Sequence, residues 1–173
     1  SIIDSKKQIE AINRSTAIIN FDINGFILDA NEIFLQAMGY KIDEKDNVIG
    51  KHHSIFVSYE YSKSDEYIEF WERLKKGNFF DGVFERKKVD GSTIYLQATY
   101  NPIFDSKGNT TNVVKIATDI TESVNNKLKI ESLTDELQAE LKNSNKLKDA
   151  IEIEKDNALN DLDSTIKKSQ SEL

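Results

Sequence analysis

Two rhythms of apolar and polar positions run through the chain, and their order predicts its elements. Ile2, Ile9 and Ile12 in "IIDSKKQIEAINR" fall near one helical face, which predicts a short amphipathic helix at the N-terminus. The rhythm then shortens: "TAIINFDINGFILDAN" holds two apolar runs around "DING". Asn and Gly tolerate positive φ, so Asn24-Gly25 between such runs predicts a hairpin. A calcium loop opening on D-x-N-G would need an acidic ligand further on, and none occurs at the required spacing. Helical spacing returns at Ile33, Phe34, Ala37 and Met38, with Asn31 placed to cap and Gly39 to stop. Residues 41–61 are polar and broken by Gly50, a pattern of short helices or turns. Ser64 opens "SDEYIEFWERLKKG", where Tyr67, Ile68, Trp71 and Leu74 mark a capped amphipathic helix ended by Gly77.

Alternation resumes in "FFDGVFERKK", "STIYLQATYNPIFD" and "TTNVVKIATD". Asp90-Gly91 and "DSKGN" between them carry the turn residues of antiparallel hairpins. Five antiparallel strands, with helices crossing between the second and third, describe an α+β domain with one sheet face covered. The other face needs a partner. After Thr118 the pattern changes for good. Every aromatic residue lies between Phe21 and Phe104, and the last proline and glycine are Pro102 and Gly108. The rest of the chain reads as one helix of about 75 Å at 1.5 Å per residue. Ile130, Leu133, Leu137, Leu147, Ile151 and Ala158 keep a 3-4 spacing suited to a two-stranded coiled coil. Glu140, Ser144, Glu154 and Asp161 interrupt that seam, so the coil is weak by composition. A solvated single helix laced with charge pairs is the alternative. The expected divisions are residues 1–14 (N-terminal helix), 15–121 (α+β domain) and 122–173 (coiled-coil helix).

Composition narrows the chemistry. The 173 residues carry a formal charge of −7, most of it after Thr118, which argues against a nucleic-acid surface or an anionic membrane as partner. There is no cysteine, hence no disulfide, thiolate nucleophile or Cys-ligated metal. No apolar run approaches the length of a membrane span and no signal peptide is visible, so a cytoplasmic address without direct membrane contact is expected. The chain begins with serine and ends inside a helical pattern, as a piece of a longer protein with a downstream output domain would. No phosphate-cradling loop, zinc-protease pattern or nucleophile elbow occurs, so no enzyme activity is expected.

The junction between strand and long helix has its own chemistry. Thr121 followed by Glu122 suits a helix start, and Asp119 can brace the turn. Without a glycine hinge, movement of the last strand would redirect the helix rather than dissipate in a linker.

The layout, with "ANEIFLQAMGY", "IGK", "FWERLKKGNFFDGVFERKKVDGS", "LQATYNPIFDSKGN" and "VVKIATDIT", closely resembles the PAS sensory domain. It looks most like the PAS modules of bacterial chemoreceptors and aerotaxis transducers, over roughly residues 14 to 123. The resemblance implies a five-stranded sheet with short helices closing a pocket on its inner face, and a signal relay through Asp119, Ile120 and Thr121. It also implies two cofactors, FAD or haem, beside the option of none. Flavin-binding relatives carry a tryptophan in a context like that of Trp71, which is otherwise a core anchor. They also use a polar residue on the next strand, where this chain has Arg86, otherwise a solvent-facing strand residue. His52 and His53 are the only histidines. They are a surface pair or a helix cap, or one is an axial haem ligand, as in some PAS sensors. No other metal site is expected. Asn31 is an N-cap or a pocket hydrogen-bonding group, and Tyr100 and Asn101 line the inner face or merely pack. The expected function is a signal-sensing module that binds a cofactor or small ligand and passes a conformational change into a homodimeric coil, with the N-terminal helix as a second dimer contact. The alternative is a ligand-free dimerisation scaffold.

Overall fold

A computed structural model of the protein describes residues 2–171; the expectations for Ser1, Glu172 and Leu173 lie outside the described residues. The elements run α1 (Ile2–Ser15), β1 (Ala17–Asp22), β2 (Ile27–Ala30), α2 (Glu32–Ala37), 3-10 turns at Ile42–Asn47 and His53–Phe56, and α3 (Tyr59–Ser62). They continue with α4 (Asp65–Lys75), β3 (Phe80–Lys87), β4 (Thr93–Phe104), β5 (Thr110–Asp119) and α5 (Thr121–Ser171). The strands form one antiparallel sheet in the order β2-β1-β5-β4-β3, the architecture that the alternating stretches predict.

Local chemistry explains the turns and starts. At the β1–β2 turn, Asp22 Oδ1 accepts from the amides of Asn24 and Phe26. Gly25 sits at φ +87°, in the left-handed region that favours glycine. Asn31 caps α2 by accepting the Phe34 amide, and Ser64 caps α4 by accepting the Tyr67 amide. The α4 face built from Tyr67, Phe70, Trp71 and Leu74 is buried. Period-two alternation puts Ile19 and Phe21 of β1, Ile94, Leu96, Ala98 and Tyr100 of β4, and Val113, Lys115 and Ala117 of β5 on the inner face. Phe34, Leu35, Phe56 and α4 close over them. Each such aliphatic or aromatic side chain contributes about 1.5–3 kcal/mol of transfer free energy. On the outer face Ile18 and Val114 are half-buried and Ile116 is exposed.

Contacts divide the chain into two compact units between Val124 and Asn125, so the first turn of α5 belongs to the sheet domain. Taken alone, α5 is one 51-residue helix with no buried residue. Its Ile130, Leu133, Leu137, Leu147 and Ile151 are all exposed. Helix α1 also has no buried residue, leaving Ile2, Ile9 and Ile12 in solvent. Among the described residues no helix is long and apolar enough to cross a membrane.

Candidate functional site

Charge enters the core from two strands and one turn. Arg86 on β3, Lys115 on β5 and His53 in the 3-10 turn are the buried charged or basic side chains among the described residues, exposed by 6%, 1% and 0%. Strand pairing sets Lys115 of β5 directly opposite Tyr100 of β4, whereas Arg86 pairs with Ile94, six positions along β4, and meets Tyr100 only through its long side chain.

The Tyr100 hydroxyl is the hub. It accepts from Arg86 Nη2 at 3.0 Å and lies 3.1 Å from His53 Nε2. His53 Nδ1 lies 2.8 Å from the Tyr67 hydroxyl, so a neutral imidazole bridges the two phenols, donating to one and accepting from the other. Burial, reinforced by the positive charges of Arg86 and Lys115 and by His52, holds His53 well below the ordinary histidine pKa. Burial, followed by the charge of Arg86, likewise holds Lys115 well below the ordinary lysine value. The Lys115 ammonium position lies 4.8 Å from the Tyr100 ring centroid and 5.8 Å from that of Phe34. Burial raises the phenols of Tyr100 and Tyr67 above the ordinary tyrosine value.

Two buried donors find no acceptor. Arg86 gives Nη1 to the Glu85 carbonyl and Nη2 to Tyr100, but its Nε–H is unpartnered. The Trp71 indole N–H lies near the Tyr67 hydroxyl, outside hydrogen-bonding geometry, and is also unpartnered. A buried donor left unsatisfied costs about 1–3 kcal/mol. Arg86 lines a cleft of about 380 Å³ along the free edge of β3, bounded by Val57, Tyr61, Val83 and Phe84 with Glu66 and Glu85 among its walls.

The remaining candidate residues separate into structural and unassigned positions. Asn31 is fully employed. Its Oδ1 accepts the amides of Ile18 and Phe34, and its Nδ2 donates to the carbonyls of Asn13 and Thr16, so the expected pocket role gives way to the cap. His52 caps the 3-10 turn: Nδ1 accepts the Ser54 amide while Nε2 donates to the Asn24 carbonyl at 2.9 Å. It has no nitrogen free for haem. Arg86 is not the solvent-facing residue that one reading of β3 allows, because its position shares the inward parity of Phe84. Trp71 is packed edge-on against Phe21 at 5.5 Å and His53 at 5.3 Å, the anchor position. Sequence reasoning overlooked Lys115 and Tyr67. The signal for Lys115 was its parity with Val113 and Ala117; for Tyr67 it was the hydroxyl on the buried face of α4.

Neither flavin nor haem fits the side chains as they are arranged. Both His53 nitrogens are hydrogen-bonded to tyrosines, and the rings of Phe21, Phe56, Tyr67, Phe70, Trp71 and Tyr100 stand 5.3–6.3 Å from the imidazole, filling the space a planar cofactor would need. At the strand position where the resemblance implies a polar group holding flavin, Arg86 is buried and bonded to the Tyr100 hydroxyl. Among the described residues no three His, Cys, Asp or Glu side chains are grouped to hold a metal ion.

The junction lies at the other end of β4 and β5. Tyr95 of β4 holds it twice: its carbonyl accepts the Ile120 amide at 2.9 Å and its amide donates to Thr121 Oγ1 at 3.0 Å. Asp119 Oδ1 accepts both the Thr121 amide at 2.9 Å and the Thr121 hydroxyl at 2.6 Å. The first helical bond of α5 runs from the Val124 amide to the Ile120 carbonyl.

Comparison with known proteins gives a consistent picture. A family model described as "PAS domain" matches residues 15–122. The biofilm dispersion protein BdlA of Pseudomonas aeruginosa PAO1 is 41% identical over 127 residues, 73% of this chain and 30% of its own length. The aerotaxis receptor of Escherichia coli K12 is 25% identical over 89 residues, 51% of this chain and 17% of its own. The chain thus spans under a third of either relative. Among solved structures, an RNA-binding light-oxygen-voltage receptor superposes with TM-score 0.60 at 18% identity, over 76% of this chain and 37% of that one. The PAS domain of a Colwellia psychrerythraea protein superposes with TM-score 0.57 at 22% identity, over 70% and 99%. These two likenesses concern the fold.

Proposed function

The chain belongs to the PAS domain family and is related to BdlA and the aerotaxis receptor, and on that footing we propose that it senses a small ligand in the Arg86 cleft and relays the change through Asp119, Ile120 and Thr121. The observation that carries the reading is Arg86, buried, with an unpartnered Nε–H, on the wall of an open cleft. A ligand that drew the guanidinium toward the cleft would loosen its bond to the Tyr100 hydroxyl, and Tyr100 shares β4 with Tyr95. Tyr95 in turn grips the start of α5. The output is a shift between two states of the junction, biased by a ligand that binds one of them better. The exposed apolar ladder of α5, with that of α1, would pair with a second copy, and the polar breaks at Glu140, Ser144 and Glu154 keep the coil easily biased.

The test is a thermal-shift panel of neutral, cationic and anionic metabolites, followed by amide hydrogen exchange. A compound that raises the melting temperature should change protection at Ile120 and Thr121, and Asp119→Ala should remove that change while binding persists. Stabilising compounds that leave those amides untouched would refute the relay, and a panel without any stabilising compound would refute ligand sensing. The ring-filled interior around His53 favours a second reading, a ligand-free dimerisation scaffold, which the latter result would support.

A further inference from the structure

The sheet has two edges, and the chain treats them differently. Along β2 it lays its own segment: the Ile27 amide donates to the Lys51 carbonyl, the Gly50 amide to the Ile27 carbonyl and the His53 amide to the Gly25 carbonyl, each at 2.8 Å. Along β3 no backbone bond of that kind occurs among the described residues. A bare strand edge is a template for another strand, and proteins ordinarily cover or blunt it.

Register tells which groups stand free on β3. The Lys88 amide donates to the Ser92 carbonyl, and bonded pairs alternate along an antiparallel ladder, so Phe84 and Arg86 turn their backbone groups toward β4. Tyr95, opposite Glu85, agrees: its carbonyl accepts the Ile120 amide and its amide donates to Thr121, both away from β3. The amides and carbonyls of Val83, Glu85 and Lys87 therefore face the free edge, and all three residues are exposed, Val83 by 54%. One acceptor is taken, because Arg86 Nη1 donates to the Glu85 carbonyl. The cleft follows the same line. It touches every residue from Val83 to Lys87, on both side-chain parities, as a groove along the backbone edge does.

The far wall of the groove is Val57, Ser58, Tyr61 and Glu66. A strand laid there would turn alternate side chains toward that wall and toward the outer face of the sheet, where Glu85 and Lys87 stand. A carboxylate waits on either side, Glu66 on the wall and Glu85 on the outer face, and neither belongs to a described ion pair. We propose that the β3 edge docks an extended basic segment of a partner protein. The segment joins the sheet as a sixth strand through the backbone of Val83, Glu85 and Lys87, with neighbouring lysine or arginine side chains against Glu66 and Glu85. The chain's net charge of −7 favours its approach at long range. Docking of this kind goes beyond the sensing of a small ligand and does not depend on it.

Fluorescence anisotropy of the full chain with labelled, end-capped hexapeptides TVKKVT and TVEEVT tests this, since adjacent lysines in a strand point to opposite sides. TVKKVT should bind saturably and TVEEVT at least about tenfold more weakly. A strand turns alternate amides to its neighbour, so N-methylation of one alternate set in TVKKVT should abolish binding, and methylation of the other should change it no more than about twofold. Amide exchange should slow at Val83, Glu85 and Lys87 and stay as it was at Phe84 and Arg86. Glu66→Gln and Glu85→Gln, both at exposed positions, should each weaken TVKKVT about two- to five-fold. Failure of TVKKVT to bind, equal affinity for TVEEVT, or equal affinity for the two methylated sets would overturn the proposal. So would protection of Val83, Glu85 and Lys87 in the protein alone that grows with its concentration, because a second copy would then hold the edge. A metabolite that stabilises the protein where TVKKVT does not bind sinks the docking and leaves small-ligand sensing standing; peptide binding beside an empty metabolite panel does the reverse.

Discussion

Replacing Lys115 with methionine should stabilise the domain, against the usual direction of core substitutions. Lys115 is 1% exposed, lies over the Tyr100 ring and has no carboxylate partner among the described residues. Methionine keeps the length and apolar stem of lysine and removes only the ammonium, so it can occupy the same channel between Tyr100 and Phe34. Burying the lysine costs free energy whether the amine stays charged or gives up its proton, and an apolar side chain of similar volume avoids that cost, a gain on the order of 1–4 kcal/mol. For a domain of this size that is roughly 3–5 °C of melting temperature per kcal/mol. The pH dependence supplies a second signature. The folded pKa of Lys115 is lowered, so below the ordinary lysine value the unfolded chain binds a proton that the native state refuses. Wild-type stability should therefore rise with pH across that window, by at most about 1.4 kcal/mol per unit. Tyr67 and Tyr100 oppose this only above the ordinary tyrosine value, because their folded pKa values are raised. Urea denaturation followed by Trp71 fluorescence between pH 7 and 9.5 measures both effects. A Lys115→Met variant that is less stable than wild type and keeps the wild-type slope would refute the reasoning, for it would mean that the ammonium is well solvated or paired.

Tyr100→Phe should cost about 1–3 kcal/mol, since it strips an acceptor from Arg86 Nη2 and a hydrogen-bond partner from His53 Nε2 at once; a loss within error in urea denaturation would show that the hub is dispensable. Stability should fall as the pH drops below the ordinary histidine value, by up to about 1.4 kcal/mol per unit, because unfolded His53 takes up a proton that the buried ring does not; His53→Phe should flatten this limb. Titration with haemin or FAD should leave no Soret or flavin band with the protein after gel filtration, and a stoichiometric band would mean that the ring cluster opens to admit the cofactor. Gly25→Ala should destabilise the domain by about 1–3 kcal/mol in thermal melts, because it forces φ +87° on alanine and puts a Cβ 2.6 Å from His52 Nε2.

Alternation and turn chemistry made the strands legible because a hairpin's register follows from local sequence. "DING", Asp90-Gly91 and "DSKGN" each sit where the sheet turns. The stretch from Lys41 to Tyr61 resisted the same treatment. Its 3-10 turns are held from outside: Lys51 O accepts the Ile27 amide, the His53 amide donates to the Gly25 carbonyl, and Phe26 bridges to His52. No local period announces such contacts. The site shows the same division. Trp71 stood out as the single tryptophan on an amphipathic face, but that face says nothing about an unpartnered indole N–H. Arg86 in "ERKK" is one of three consecutive cations, and only pairing with β4 makes it the one that turns inward beside Tyr100. Lys115 could have been placed by parity alone; a lysine between Val113 and Ala117 breaks the apolar rhythm at a position the rhythm marks as buried.

Tyr100 and Lys115 lie on the two strands that lead to the junction, and the proposed relay would run along them without any moving part between. On β4, Tyr95 and Tyr100 are five residues apart, roughly 17 Å of extended chain. On β5, Lys115 and Asp119 are four apart. No glycine interrupts either span, and both strands are paired throughout with each other, so neither can bend alone without breaking ladder bonds. A pull on the Tyr100 hydroxyl therefore has few outlets: the His53–Tyr67 chain into the helical cap, or displacement of β4 against β5 toward Tyr95. At that end Thr121 Oγ1 accepts from the Tyr95 amide while its hydroxyl donates to Asp119, so one side chain joins both strands to the first turn of α5. Coupling of this kind needs a joint with two arrangements of similar energy rather than a continuous wire. In the proposed relay the Thr121 hydroxyl would fill that role by keeping its bond to Asp119 while releasing Tyr95, at the cost of about one hydrogen bond.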